Sequence, residues 1–286
     1  MAASSYLEHV SLLFGWVYTI CWSLSFYPQP LLNWTRKSTA GTTIDFPGIN
    51  VIGFAAYFIY NVCMLCSPQI RYEYAARNYG LAPTVAVNDI WFSGHATIIC
   101  LIALTQFISK LWGFEKREKG SAGASMSKPV WGVQLGSVVG VLVVTLIVAI
   151  RQDPDPATGW AWIDVLYALS YVKLLITLVK YTPQVITNYN NKSTHGWSIY
   201  QIQFDFTGGI LSVTQLFIDS YLQESWSGLT GNPVKFALGI ISIFFDVVFL
   251  VQHYWIYAHK EADKISSSEE GPLLGSTERS WNAARG

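Results

Sequence analysis

The stretch Tyr27-Pro28-Gln29-Pro30-Leu31-Leu32-Asn33, followed by Lys37-Ser38-Thr39-Ala40-Gly41, is written a second time 155 residues further on. The second copy reads Thr182-Pro183-Gln184-Val185-Ile186-Thr187-Asn188 and then Lys192-Ser193-Thr194-His195-Gly196. The same offset pairs Asn50 with Asp205 and Gly53 with Gly208, and a slip of two residues pairs Asp89 with Asp246. Each copy closes an apolar run. Apolar helices duplicated together with their polar breaks are the mark of repeat-built membrane transporters.

The composition agrees with lipid as the solvent. Of the 286 residues, 51% are hydrophobic and only 13% charged, against about a quarter charged in soluble domains. The net charge is zero, so there is no basic footprint for nucleic acid. Twelve Trp and sixteen Tyr suit the headgroup region on either side of a bilayer. Cys63 and Cys66 have CxxC spacing without a second pair or a His cluster, which points to membrane-core packing and not to a metal or redox site. Phosphate loops and nucleophile triads are absent as well, so the chain reads as a non-enzyme without cofactor.

Crossing a hydrocarbon core of roughly 30 Å takes about 20 apolar residues as helix. Seven segments qualify: 9–28, 46–66, 90–112, 130–150, 160–181, 199–220 and 234–257. The fourth lies between the two copies and has no counterpart in either. Its Gly132, Gly136 and Gly140 would admit another helix closely. The expected fold is therefore an all-α polytopic membrane protein, with seven transmembrane helices as two parallel three-helix repeats joined by a linker helix. Residues 1–112 form the first bundle, 113–158 a loop and the linker helix, 159–258 the second bundle, and 259–286 a polar tail.

Lys and Arg outside or at the ends of these spans number twelve on the side that holds both Pro-Gln segments and the carboxyl tail, and four on the other: Arg71, Arg77, Arg151 and Lys235. That imbalance places the Pro-Gln side and the carboxyl terminus in the cytosol and the amino terminus in a lumen. The tail carries Glu269-Glu270-Gly271-Pro272-Leu273-Leu274, in which Glu269, Leu273 and Leu274 fit an acidic dileucine address read by cytosolic sorting adaptors.

Pro28 and Pro183 each remove a backbone hydrogen bond from a helix, so they are expected to act as paired hinges. Lys173, Lys180, Asp205 and Asp246 fall inside spans, and Asp89 begins one. A charge at bilayer centre costs at least ~2.5 to 3.5 kcal/mol, which usually marks an ion or substrate path, although structural ion pairs are the competing explanation. Lys173 and Lys180 share a helix face and would attract carboxylates; Asp205 would meet an ammonium group or hold a proton. Both signs of charge suit a zwitterion better than a sugar. Trp22 and Phe26, one turn apart, would line the cavity or pack in the core.

The stretches Ser25–Lys37, Ser170–Gln184, Lys192–Ile199, Asp205–Gly209 and Ser242–Val248 resemble the PQ-loop transporters over nearly the whole chain, and within them the branch that moves L-cystine. The resemblance implies a proton-coupled symporter that exports L-cystine from the acidic lumen of a lysosome or vacuole to the cytosol by alternating access. It implies substrate contacts at Trp22, Phe26, Gln29, Asn50, Lys173, Lys180, Gln184, Asn188, Gln201 and Asp205, and proton-linked aspartates at Asp89, Asp205 and Asp246. At Gln201 the family carries Asn, one methylene shorter. A PQ-loop transporter of another amino acid or a sugar, and a seven-helix receptor, are the alternatives; Lys173 and Lys180 disfavour a cationic substrate.

Overall fold

The computed structural model describes residues 2–39, 43–116, 125–151, 153, 155–192, 194, 199–223 and 233–257. Those residues are helical with short connections, and no strand occurs among them. In chain order the helices are α1 (Ala2–Ser25), α2 (Pro28–Arg36), α3 (Asp45–Cys66), α4 (Pro68–Arg77), α5 (Val87–Thr105), α6 (Ser109–Trp112), α7 (Lys128–Arg151), α8 (Trp162–Asn191), α9 (Ile199–Leu222) and α10 (Pro233–Val251). The last runs into a π-helical turn, Gln252–Ile256. The dileucine segment lies outside the described residues.

Six stretches are long and apolar enough to cross a membrane: Tyr6–Arg36, Asp45–Cys66, Val87–Thr105, Lys128–Arg151, Trp162–Tyr181 and Val234–Ile256. The helix α9 is as long as α7 but carries Gln201, Gln203, Asp205, Gln215 and Asp219, so its composition alone does not qualify it. Its position explains the polarity it tolerates: it is packed between α1 and α10.

The packing is written twice. The helix α5 lies against both α1 and α3, and α10 lies against both α8 and α9; the halves then meet through α1 on α9 and α3 on α8. Gly53 and Gly208 sit at these two junctions. A Cβ on Gly53 would come 2.9 Å from Ile176 Cγ2 of α8, and one on Gly208 2.5 Å from Trp22 Cδ1 of α1. Each glycine therefore lets its helix approach the other half. The helix α7 packs on α8 and α3, with Val130, Val133 and Val141 against Ile49, Val172 and Ile176. Its three spaced glycines, expected to receive a helix, have nothing within 4 Å; the valines on another face make the contact instead.

The two Pro-Gln copies differ locally. After Ser25 the first helix stops, and α2 restarts with Pro28 in its first turn, where a missing N–H costs nothing. The Leu24 carbonyl that Pro28 leaves without its usual donor is taken by Tyr27 N at 3.3 Å. The second helix, α8, continues through Pro183 to Asn191. Pro30 removes a further donor in the first copy, whereas Val185 keeps its N–H in the second. Both copies end alike, on a lysine in the left-handed region: Lys37 at φ 52° and Lys192 at φ 49°.

An element the period did not reveal is α4, whose Ser67 Oγ accepts from Ile70 N at 3.4 Å as an N-cap. It ties the two halves at the end remote from the Pro-Gln segments. Arg77 bonds Asp164 in two places (2.5 and 2.9 Å) and the carbonyls of Pro156 and Gly159. The carboxylate of Asp164 holds the Arg77 guanidinium above its ordinary pKa. Glu73 Oε2 accepts from Ile163 N at 2.8 Å, which satisfies an open N–H in the first turn of α8.

Candidate substrate site between the repeats

Between the halves lies a cavity whose empty space is about 360 Å³, counting the part open to solvent. Its walls are unlike. The first half contributes Trp22, Phe26, Phe54 and Phe92, all aromatic; the second contributes Lys173, Thr177, Lys180, Tyr181, Asp205, Leu238 and Ser242.

The aromatic wall is built by stacking. Phe26 meets Phe54 edge-on at 5.2 Å and Trp22 lies 5.0 Å from Phe92, centroid to centroid. Such contacts add about 0.5–1.5 kcal/mol each beyond area burial. Trp22 is also oriented by its Nε1, which donates to the backbone carbonyl of Asp205 at 2.9 Å. That bond places one wall against the other.

The polar wall holds two cations and one acid, with a second acid behind it. Lys173, 3% exposed, rests its ammonium 3.3 Å from the centre of the Phe54 ring. Lys180 lies 4.4 Å from the Tyr181 ring. The Tyr181 hydroxyl donates to Asp205 Oδ2 at 2.6 Å and lies 3.3 Å from Ser242 Oγ. Asp246, 1% exposed, sits behind the wall within electrostatic reach of Asp205 and Lys180, and its Oδ2 has no partner among the described residues. Two ammonium groups and one carboxylate thus border the cavity, which can receive a ligand carrying both signs of charge.

Beyond the aromatic wall, away from the Pro-Gln segments, lies a buried polar network. Asp89 pairs with Lys235 at 3.0 Å, both essentially unexposed, and Asp89 also accepts from the Tyr18 hydroxyl. Lys235 donates to Gln215 at 2.8 Å, and Asn88 donates to the Tyr18 hydroxyl at 2.8 Å. Lys235, counted above as a loop charge, is inside the bundle because Asp89 and Gln215 replace its water. The network also changes the pairing of the third helices. Asp89 and Lys235 lie 146 residues apart, as do Phe92 and Leu238, and the latter two both line the cavity. In that register Asp89 matches Lys235, and Asp246 matches the buried Cys100.

Of the residues singled out above, Trp22, Phe26, Lys173, Lys180 and Asp205 come together at the cavity. Others lie elsewhere. Gln29 is exposed and donates to Asn33 Oδ1 at 2.9 Å. Asn50 is buried and bonded to the Phe46 carbonyl of its own helix, with Oδ1 unpartnered among the described residues. Asn188 is buried against Gln252, and Gln201 is half-buried on α9 outside the lining. The Gln184 side chain lies outside the described residues. The lining residues not anticipated were Phe54, Phe92, Thr177, Tyr181, Leu238 and Ser242. Two of them were within reach: an offset of 155 carries Trp22 to Thr177 and Phe26 to Tyr181.

The PQ loop repeat family matches residues 10–70 and 165–225, the segments that hold the first two long helices of each half. The chain is 36% identical over 269 residues to the cystinosin homolog of Arabidopsis thaliana, covering 92% of this chain and 93% of that protein. It belongs to the cystinosin family of PQ-loop proteins. Cystinosin of Bos taurus is 38% identical over 257 residues, 90% of this chain and 66% of the bovine protein. The cystine transporter of Saccharomyces cerevisiae is 25% identical over 262 residues, 89% and 96% of the two chains. Against cystinosin of Drosophila melanogaster the chain spans 63% of the relative's length, so animal members of the family are longer.

Proposed function

We propose that this protein is a proton-coupled L-cystine symporter that carries its substrate from an acidic lysosomal or vacuolar lumen to the cytosol by alternating access. In this reading seven helices cross the membrane, with α9 as the sixth, in the order three, linker, three, and both triplets point the same way. The amino terminus is lumenal and the carboxyl terminus cytosolic. The observation that carries the proposal is the unlike pair of cavity walls in a member of the cystinosin family. Lys173 and Lys180 offer partners for carboxylates, Asp205 offers one for an ammonium group, and the aromatic wall opposite suits the apolar centre of a long symmetric amino acid.

Protons enter the scheme through Asp205 and Asp246, which share one neighbourhood with Lys180, and through Asp89 of the buried network. A proton taken up by this acidic neighbourhood changes the charge that a substrate ammonium meets. Loss of that proton to the cytosol resets the site.

The test is uptake into proteoliposomes of purified protein with labelled cystine, arginine and glucose, with and without an imposed acid gradient. Cystine uptake driven by the gradient is expected, with little arginine or glucose uptake. Equal cystine uptake without the gradient would remove the coupling, and preference for another solute would remove the substrate.

A further inference from the structure

One arrangement at the Pro-Gln end is duplicated and belongs to neither cavity wall. In the first half Asn33 Nδ2 donates to Gln106 Oε1 at 3.0 Å, and Gln106 Nε2 donates to the Pro30 carbonyl at 3.0 Å. In the second half Asn188 Nδ2 donates to Gln252 Oε1 at 3.0 Å, and Gln252 Nε2 donates to the Val185 carbonyl at 3.3 Å. Pro30 and Val185 are themselves 155 residues apart, as are Asn33 and Asn188. The same two bonds, on matching atoms, are therefore made twice.

The glutamines are not found by that offset. They lie 146 residues apart, the register of the third helices, and each is the first residue after one: α5 ends at Thr105 and α10 at Val251. Gln252 also opens the π-helical turn, an irregularity that in helices is frequently placed at functional sites. All four amides are at most 5% exposed. A buried amide left unbonded costs about 1–3 kcal/mol, so these clasps hold firmly. In the first half the clasp spans a helix break. Between Ser25 and Pro28 the chain leaves α1, and the clasp fastens α2 to the end of α5.

We infer that Gln106 and Gln252 are positioning residues that make each Pro-Gln segment move as one body with the end of the third helix of its repeat. The break at Phe26–Tyr27 then acts as a joint whose far arm is α2 plus the end of α5. Phe26 lines the cavity, so a ligand-induced shift at that residue reaches the Pro-Gln end through this arm. In the second half Gln252 fixes the amide of Asn188 in the same way. The moving arm rests on the alternating-access reading above; the clasp itself does not.

Spin labels test this directly in otherwise full-length protein with Cys21, Cys63 and Cys66 replaced, the buried Cys100 being left. A pair at Leu31 and Ile108, both exposed, reports across the clasp, and a pair at Leu31 and Tyr189, also exposed, reports across the two repeats. On switching between acidic buffer with cystine and neutral buffer without it, the Leu31–Ile108 distance is expected to stay fixed while Leu31–Tyr189 changes. In Gln106→Leu the Leu31–Ile108 distribution is expected to lose its single narrow maximum. Turnover is expected to fall roughly tenfold, the factor that about 1.4 kcal/mol on the barrier gives, while substrate affinity is retained because neither Asn33 nor Gln106 lines the cavity. Gln106→Glu keeps the acceptor for Asn33 and restores part of the order. If Gln106→Leu does not fold, Asn33→Ala reads the same bond.

A Leu31–Ile108 distance that shifts in the wild type as much as Leu31–Tyr189 overturns the inference. So does an unbroadened distribution in the Gln106 and Asn33 variants. If the wild type carries no cystine, the transport reading fails, and the comparison of widths, which needs no substrate, still decides the clasp.

Discussion

Lys180 and Asp205 border one cavity with opposite charges, and each has a protein partner that leaves part of it available. The ammonium of Lys180 lies against the Tyr181 ring, while Asp205 accepts from the Tyr181 hydroxyl. If Lys180 meets a substrate carboxylate as proposed, replacing it by Ala removes a charge-assisted contact of about 1.5–3 kcal/mol. Half-saturating cystine is therefore expected to rise roughly tenfold to a hundredfold, at unchanged folded yield, measured as concentration-dependent uptake. Unchanged affinity and rate would make Lys180 a structural residue. Asp205→Asn keeps the shape and the acceptor oxygen for Tyr181 but cannot release a proton. Substrate-evoked proton current is expected to vanish in it while cystine binding survives in part. A current of normal size would move the assignment to Asp246 or Asp89.

At the scale of elements, glycines decide which helix faces can meet. A Cβ on Gly208 would stand 2.5 Å from the Trp22 ring, whereas one on Gly136 of α7 meets nothing within 4 Å. Gly208→Ala is expected to lower stability by about 1–3 kcal/mol, as overpacking does, and to displace Trp22 from the cavity wall. Gly136→Ala is expected to be neutral or to stabilise by about 0.5–1 kcal/mol, since alanine orders a helix better. Thermal melting of the two variants in detergent separates them. The buried Asp89–Lys235 pair makes a further contrast. Lys235→Met alone strands a buried carboxylate and is expected to cost about 3–5 kcal/mol, while Lys235→Met with Asp89→Asn is expected to recover most of that loss. A double variant melting no higher than the single one would show that Asp89 is not the charge being compensated.

At the scale of the whole molecule the predictions concern orientation and address. A cysteine at the exposed Asp155 is expected to resist an impermeant thiol reagent in intact sealed organelles and to react once they are opened, because the Lys/Arg imbalance predicts a lumenal loop there. Reaction from the cytosolic side without opening would invert the topology. Replacing Leu273 and Leu274 together by Ala is expected to send the protein to the plasma membrane with transport intact, seen by microscopy and by cystine uptake into whole cells. An unchanged organelle pattern would leave the tail without an address.

The sequence by itself carried the duplication, the helical class, the membrane as solvent, and five residues of the cavity: Trp22, Phe26, Lys173, Lys180 and Asp205. These were legible because they are local or periodic. An apolar run of given length, a proline in a helix and an offset of 155 residues need no knowledge of neighbours. Only the tertiary structure decided that Lys235 is a buried partner of Asp89, and that the third helices pair in a register of 146 residues. It alone set the aromatic wall of one half against the ionic wall of the other, and it alone showed the Asn–Gln clasps. A contact between Asn33 and Gln106, or between Trp22 and the Asp205 carbonyl, depends on where separate helices cross. That geometry is set by glycines, side-chain volumes and buried hydrogen-bond partners acting together across the fold, and no single stretch of chain contains it.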